Sequence, residues 1–231
     1  MYERAHDLLT PRKTFGQPAV LIGRTLDLEL PAGPQMILRM MVRNPWSEGF
    51  QIPKELEWLR TAIVACNTVQ LTQEIYNPFV YVTVRHGVIN TVTDDLWHVD
   101  GFSMRVPHNP EQNYIWTNRY PTELLDQEVT LPEDFDPLRH NIHQYFQDVA
   151  DESNICTLRA EHIYGIDPYV IHRRPNNIPL GTERTFFRIS FVPIEIEDDT
   201  CTVNPLIPRE RPYGREDIRH RLERYPLTTT R

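Results

Sequence analysis

Glycine and cysteine are the scarce residues here. The chain holds nine glycines and three cysteines in 231 residues, against twenty prolines. So few glycines leave no Gly-rich phosphate loop, and no Gly-x-Ser-x-Gly nucleophile elbow occurs. The prolines interrupt helices and central strands alike, which excludes a bundle of long helices and predicts short strands with many bends. Cys66, Cys156 and Cys201 are scattered and form no Cys-x-x-Cys pair, so they read as reduced thiols of a cytoplasmic protein, with neither a disulfide frame nor a zinc knuckle. On its apolar run, Cys156 reads as a small buried hydrophobe.

Basic charge is also in deficit. Lys and Arg total 24 against 32 Asp and Glu, a net charge of −8. Such a chain has no overall field for gripping a phosphate backbone, so nucleic acid is not an expected partner. No apolar run approaches the roughly 20 residues that span a bilayer, and the opening MYERAHDLLTPRK lacks the apolar core of a secretory leader. A membrane partner is not expected either.

What remains is an ordinary globular composition, 40% hydrophobic and 24% charged, at a length that favours one domain over residues 1–231. Two apolar runs, Val20 to Leu30 and Met36 to Val42, flank the turn cluster Pro31-Ala-Gly-Pro34 and predict a strand pair. Pro53 opens a helical pattern to about Gln73, with Leu56, Leu59, Ile63, Cys66 and Val69 on one stripe. After Pro78 the period becomes two, and Phe79 to Arg85 reads as a strand. Further strands are expected at 114–117, 155–160, 169–172 and 184–196, with a helix inside 136–150. Many short strands with few helices indicate a mainly β, barrel-like sandwich. The N-terminal strands and buttressing helix would occupy 19–73 and the core 79–196. A charged tail follows at 205–231, in which 209–224 reads as a surface helix.

The chemistry concentrates in Trp97-His98-Val99-Asp100-Gly101-Phe102. On an extended segment, residues two apart share a face, so His98 and Asp100 present an imidazole and a carboxylate to one ion. His172, closing the apolar run Tyr169-Val-Ile, is the best candidate for a third ligand. Two histidines and a carboxylate form the facial triad of non-haem Fe(II) oxygenases, which leaves three positions open for exogenous ligands. Beyond His172, Arg184, Phe186, Arg188 and Ser190 share one side of a strand, where a guanidinium clasps a carboxylate with two charge-assisted bonds. Tyr114, Trp116 and Asn118 on one strand, or Tyr81, Thr83 and Arg85 on another, are candidates to line the same cavity. His140 and His143, three apart on the predicted helix, read as a solvated face.

His98-x-Asp100, His172 lying 172 − 100 = 72 residues later, and Arg188-Ile189-Ser190 together resemble the 2-oxoglutarate/Fe(II)-dependent oxygenases. The resemblance spans roughly Phe79 to Ile196 and implies a double-stranded β-helix, or jelly-roll, core of the cupin type. It implies Fe(II) held by His98, Asp100 and His172, and 2-oxoglutarate held by Arg188 and Ser190, with Arg184 competing for that role or meeting a substrate anion. Dioxygen would be the oxidant, succinate and carbon dioxide the coproducts, and a small molecule the substrate. Amino acids, carboxylated metabolites and natural-product intermediates are the candidate classes, and Arg105, Arg119 and Arg173 are candidate contacts for an anionic group on them. Related halogenases replace the carboxylate by a small residue, so Asp100 favours hydroxylation or desaturation. Two alternatives stand beside this reading. One is a cupin-like metal enzyme that does not use 2-oxoglutarate, and the other is a non-catalytic jelly-roll binding module.

Overall fold

A computed structural model describes residues 12–24, 28–73, 77–91, 96–102, 111–136, 139–196 and 199–207. The expected tail helix at 209–224, the proline-rich stretch 107–110 and Arg105 lie outside the described residues. The strands are β1 (Thr14–Phe15), β2 (Val20–Arg24), β3 (Gln35–Arg43), β4 (Phe79–Val88), β5 (Gln112–Thr117), β6 (Glu123–Leu125), β7 (Val129–Thr130), β8 (Ile155–Thr157), β9 (His162–Ile166), β10 (His172–Arg173) and β11 (Glu183–Val192). The helices are α1 (Arg60–Thr72) and α2 (Ile142–Val149). Pro53 with its φ of −62° leads a 3-10 turn, Lys54–Leu59, directly into α1. The single helical pattern of the sequence thus begins in the tighter winding.

A six-stranded sheet runs in the order β2-β9-β5-β11-β4-β3, and a three-stranded sheet in the order β10-β6-β8. An antiparallel bridge between His98 and His172 adds the His98 segment to the outer side of β10. Along the chain the core strands pass β4 in the large sheet, His98 in the small, β5 large, β6 and β8 small, β9 large, β10 small and β11 large. That alternation between two antiparallel sheets is the double-stranded β-helix, and the expected jelly-roll is the fold. The predicted pairing of the first two strands is corrected: β2 pairs with β9 and β3 with β4, at opposite edges of the large sheet. Burying both strands against longer partners outweighs the local turn at 31–34.

Strand parity divides the large sheet into two unlike faces. Val80, Val82, Val84, Tyr114, Trp116, Phe187, Ile189 and Phe191 pack with Leu56, Leu59, Ile63 and Cys66 in one core cluster, so α1 covers this face. The opposite face carries Thr83, Arg85, Ile115, Phe186 and Arg188 and looks toward the small sheet across a cavity. Strand β11 lies between β4 and β5, with Arg188 opposite Thr83 on one side and Ile115 on the other. A second cluster of Phe15, Trp97, Phe146, Tyr169 and Ile171 fixes α2 against the His98 segment. All three cysteines are free thiols, but Cys156 is exposed, because β8 is the edge strand of the small sheet. Among the described residues no helix is long and apolar enough to cross a membrane.

Candidate metal centre

His98 and His172 exchange both backbone hydrogen bonds, each amide donating to the other's carbonyl at 2.9 Å. In such a pair the side chains leave on the same face, and the two imidazole centroids are 4.4 Å apart. Asp100, two residues beyond His98, returns to that face with its Oδ2 3.4 Å from His172 Nε2. One ligand atom from each of His98, Asp100 and His172 lies within 4.8 Å of the others. Residues distant in the chain therefore converge because one bridge ties the strand of the first histidine to the strand of the second.

The imidazoles are aimed as well as gathered. His98 Nδ1 is 2.7 Å from the Leu96 carbonyl, and His172 Nδ1 is 2.9 Å from the Val170 carbonyl. A carbonyl only accepts, so each Nδ1 carries the proton and each Nε2 keeps its lone pair for an ion. Burial, together with the neighbouring His172, draws the His98 imidazole down to about 4 against the pull of Asp100, so the ring is neutral at pH 7. For Asp100 burial pushes upward, but the Arg188 guanidinium and then His172 outweigh it and hold the carboxyl well below its usual range. Two imidazole nitrogens and one carboxylate oxygen suit a divalent first-row metal such as Fe(II), and that donor set is the test of fit.

The cavity in front of this cluster has a volume of about 580 Å³, within the range of small-molecule sites. Arg184 enters it from the start of β11 and is only 8% exposed. Its Nε donates to the carbonyls of Arg119 and Tyr120 at 3.1 and 3.2 Å. Tyr120 adopts a left-handed φ of 50°, which costs a non-glycine residue of the order of 1–3 kcal/mol, so the turn that aims Arg184 is held against strain. Thr117 Oγ1 donates to the Thr185 carbonyl and Asn118 Oδ1 accepts from the Thr185 amide, both at 2.8 Å, which pins that turn to β11. Burial, then Arg174 and Arg85 beside it, lower the Arg184 guanidinium to about 10, so an anion in the cavity would relieve a cationic cluster.

Arg188 meets the centre differently. Its Nη1 donates to Asp100 Oδ2, and its buried Nε has no partner among the described residues. Burial opposes its charge, yet Asp100 and, more weakly, Glu111 raise it above the ordinary guanidinium value. Ser190 shares the strand face of Arg188, but its hydroxyl donates to Asn113 Oδ1 at 2.5 Å in the sheet interior and does not line the cavity. Arg173 lines the cavity while bound by Glu123 and Glu152, with its guanidinium 4.1 Å over the Trp97 ring.

Tyr114 and Trp116 are corrected. They face α1, away from the cavity: the Tyr114 hydroxyl accepts from Gln70 Nε2 at 2.8 Å, and Trp116 stacks on Phe187 at 5.1 Å. Intervening Ile115 takes the cavity side. Of the competing set, Thr83 and Arg85 line the cavity, while the Tyr81 hydroxyl accepts from the Ile196 amide. His143 is exposed, as its polar helix face predicts, and it also reaches the rim of the cavity. Its ring lines the cavity 6.1 Å from that of His98, and Gln147 one turn on donates to the Trp97 carbonyl at 3.0 Å. Its partner in spacing, His140, accepts from the Asp136 amide and stays exposed. The signal for His143 was the stripe His143-Phe146-Gln147, a buried aromatic between two polar residues on the helix.

No family model matches the chain, and no curated protein does. Among solved structures it is similar to EvdO2 from Micromonospora carbonacea var. aurantiaca, complexed with 2-oxoglutarate, at 14% identity and a TM-score of 0.37, covering 73% of this chain and 82% of that one. A likeness at that level carries no argument, and the functional reading rests on the site.

Proposed function

We propose that this protein is an Fe(II)- and 2-oxoglutarate-dependent oxygenase that hydroxylates a C–H bond of a small molecule. The balance is R–H + 2-oxoglutarate + O2 → R–OH + succinate + CO2. The observation that carries the reading is the convergence of two Nε2 lone pairs and one carboxylate at the wall of a cavity that also holds a buried, pre-aimed guanidinium. His98, Asp100 and His172 would hold the ferrous ion, which supplies the reduction of dioxygen coupled to decarboxylation of the cosubstrate.

The chain's own residues bind and orient. Arg184, its Nε fixed by two carbonyls, has a fork directed at the cavity and is the better clasp for the distal carboxylate of 2-oxoglutarate, since Arg188 is already engaged by Asp100. Phe186, Ile115 and Leu96 supply apolar wall for the substrate, and α2 with His143 closes one side. Three free thiols fit a reducing compartment such as the cytoplasm. Oxidative turnover of 2-oxoglutarate, read as succinate across a library of amino acids, carboxylated metabolites and natural-product intermediates, tests the reading. Succinate formed only with Fe(II), and lost in His98→Ala, is the expected result.

A second reading draws on His143. A further imidazole 6.1 Å from His98 gives the cavity a histidine-rich character that suits a cupin-like metal enzyme working without 2-oxoglutarate. Metal-dependent turnover in the absence of 2-oxoglutarate would favour it.

A further inference from the structure

Among the described residues, five arginines line the cavity (Arg85, Arg173, Arg174, Arg184 and Arg188) against one carboxylate, Asp100. Two of the five are matched by acids, Arg173 by Glu123 and Glu152 and Arg188 by Asp100. Arg184 is held by the carbonyls of Arg119 and Tyr120, which bring no net charge. Arg85 and Arg174 stand beside it on the two facing walls. On β4, Thr83 is level with Arg188 and Arg85 with Phe186, so Arg85 lies one step along the same face from the metal ligands. Arg174 comes two residues after His172 at the end of β10, and its Nη2 donates to the Thr91 carbonyl at 3.3 Å. Arg85 is exposed and Arg174 half-buried, which sets both nearer the mouth than the buried Arg184. After burial, these two neighbours are what draw the Arg184 guanidinium down, so the three share one field.

The cosubstrate does not exhaust this bank. A divalent ion, the Asp100 carboxylate and a 2-oxoglutarate dianion together leave one negative charge, which Arg188 cancels. Arg85, Arg174 and Arg184 still line the space that remains. A cleft lined by one sign of charge focuses its field on a ligand of the other. Guanidinium forks match the paired oxygens of a carboxylate or phosphate. Ile115, Phe186 and Leu96 add apolar wall to the same cavity. A ligand complementary to both has an anionic end and an apolar body.

We propose that the substrate is a small molecule with an apolar body and an oxyanion, a carboxylate or a phosphate ester, held between Arg85 and Arg174 at the cavity mouth. The inference rests on the functional reading above, since it counts the charges of a metal ion and 2-oxoglutarate. It narrows the candidate classes to anions and excludes neutral and cationic compounds. It also shifts the anion contact away from two residues singled out in the sequence. Arg173 is already matched by two glutamates, and Arg119 offers its carbonyl to Arg184 and does not line the cavity.

The test separates charge from shape without turnover. Full-length protein loaded with Mn(II) and saturating 2-oxoglutarate is titrated calorimetrically with benzoate, phenyl phosphate and neutral benzamide at constant ionic strength. At least one anion is expected to saturate and to bind about tenfold or more tightly than benzamide. Arg85→Gln and Arg174→Gln are each expected to weaken that anion about fivefold or more, and by more than they weaken 2-oxoglutarate. Arg85→Lys is expected to recover part of the loss. The preferred anion identifies the oxyanion class. Benzamide binding as tightly as both anions, no saturable binding of either anion, or an anion affinity unchanged in both glutamine variants would overturn the inference and leave the functional reading standing. Should a variant fail to fold, the comparison of the anions with benzamide in wild-type protein decides alone. Absence of saturable 2-oxoglutarate binding to the Mn(II)-loaded wild-type protein would overturn both this inference and the functional reading beneath it.

Discussion

Replacing His98 by glutamine should remove a large part of the acid sensitivity of the metal-free protein. The imidazole titrates at 6.5 when unconstrained and at about 4 in the fold, because burial and the neighbouring His172 disfavour its charge. Between those values the unfolded chain binds the proton and the folded chain does not, so stability rises with pH. The contribution is complete above the unfolded value and is lost as pH falls toward the folded one. At 1.36 kcal/mol per pH unit, the loss between about pH 7.5 and about pH 4.5 is about 2 kcal/mol, after allowing for the part of the ring that faces solvent. Urea denaturation of metal-free wild-type protein and His98→Gln at both pH values, compared at equal denaturant slope, gives that difference directly. The variant keeps a polar side chain of similar length without a titrating group. Parallel loss of stability in the two proteins would refute the reasoning, since it would mean that the folded ring accepts its proton as readily as the unfolded one.

Gly101→Ala places a Cβ in a left-handed backbone and against Glu111, with a cost of about 1–3 kcal/mol and a weaker Mn(II) affinity, both measurable by titration. Arg173→Met strands Glu123, whose side chain is 11% exposed, without its cation, and should lower stability by about 3 kcal/mol in denaturant unfolding. Asn141→Ala deletes the cap whose side chain accepts from the amides of His143 and Gln144, at about 1 kcal/mol. Amide exchange in α2 should quicken in that variant and not in β11.

The candidate metal ligands were legible because their signal is local and chemical. His98 and Asp100 sit two apart on an extended segment, and a histidine at the end of an apolar run supplies the third donor without reference to tertiary contacts. The jelly-roll was legible from many short strands, yet β9 was missed, since His162-Ile-Tyr-Gly-Ile mixes a glycine and a half-buried histidine into five residues. The faces of β5 were not legible. All six of its residues are buried, on one side against α1 and on the other toward the cavity, so polarity alternates too weakly to say which side is which. Tyr114, Trp116 and Asn118 share one strand face and were grouped by that alternation, whereas Ile115 packs with Leu124 and Val170 on the other side and takes the cavity face. The approach of His143 was not legible because it sits on the polar side of its helix, whose apolar side, Ile142, Tyr145, Phe146 and Val149, packs in the cluster with Trp97 and brings that imidazole near His98. The roles of Arg184 and Arg188 depend on distances across the barrel, which strand periodicity does not contain.

The most direct measurement of the central claim is an anaerobic titration of the purified protein with Fe(II) and 2-oxoglutarate, followed by visible absorption. A weak metal-to-ligand charge-transfer band that saturates at one equivalent, and is absent in His98→Ala and diminished in Arg184→Gln, is the predicted result. Full Fe(II) binding in His98→Ala, or no band in wild-type protein at saturating metal and cosubstrate, would contradict the account.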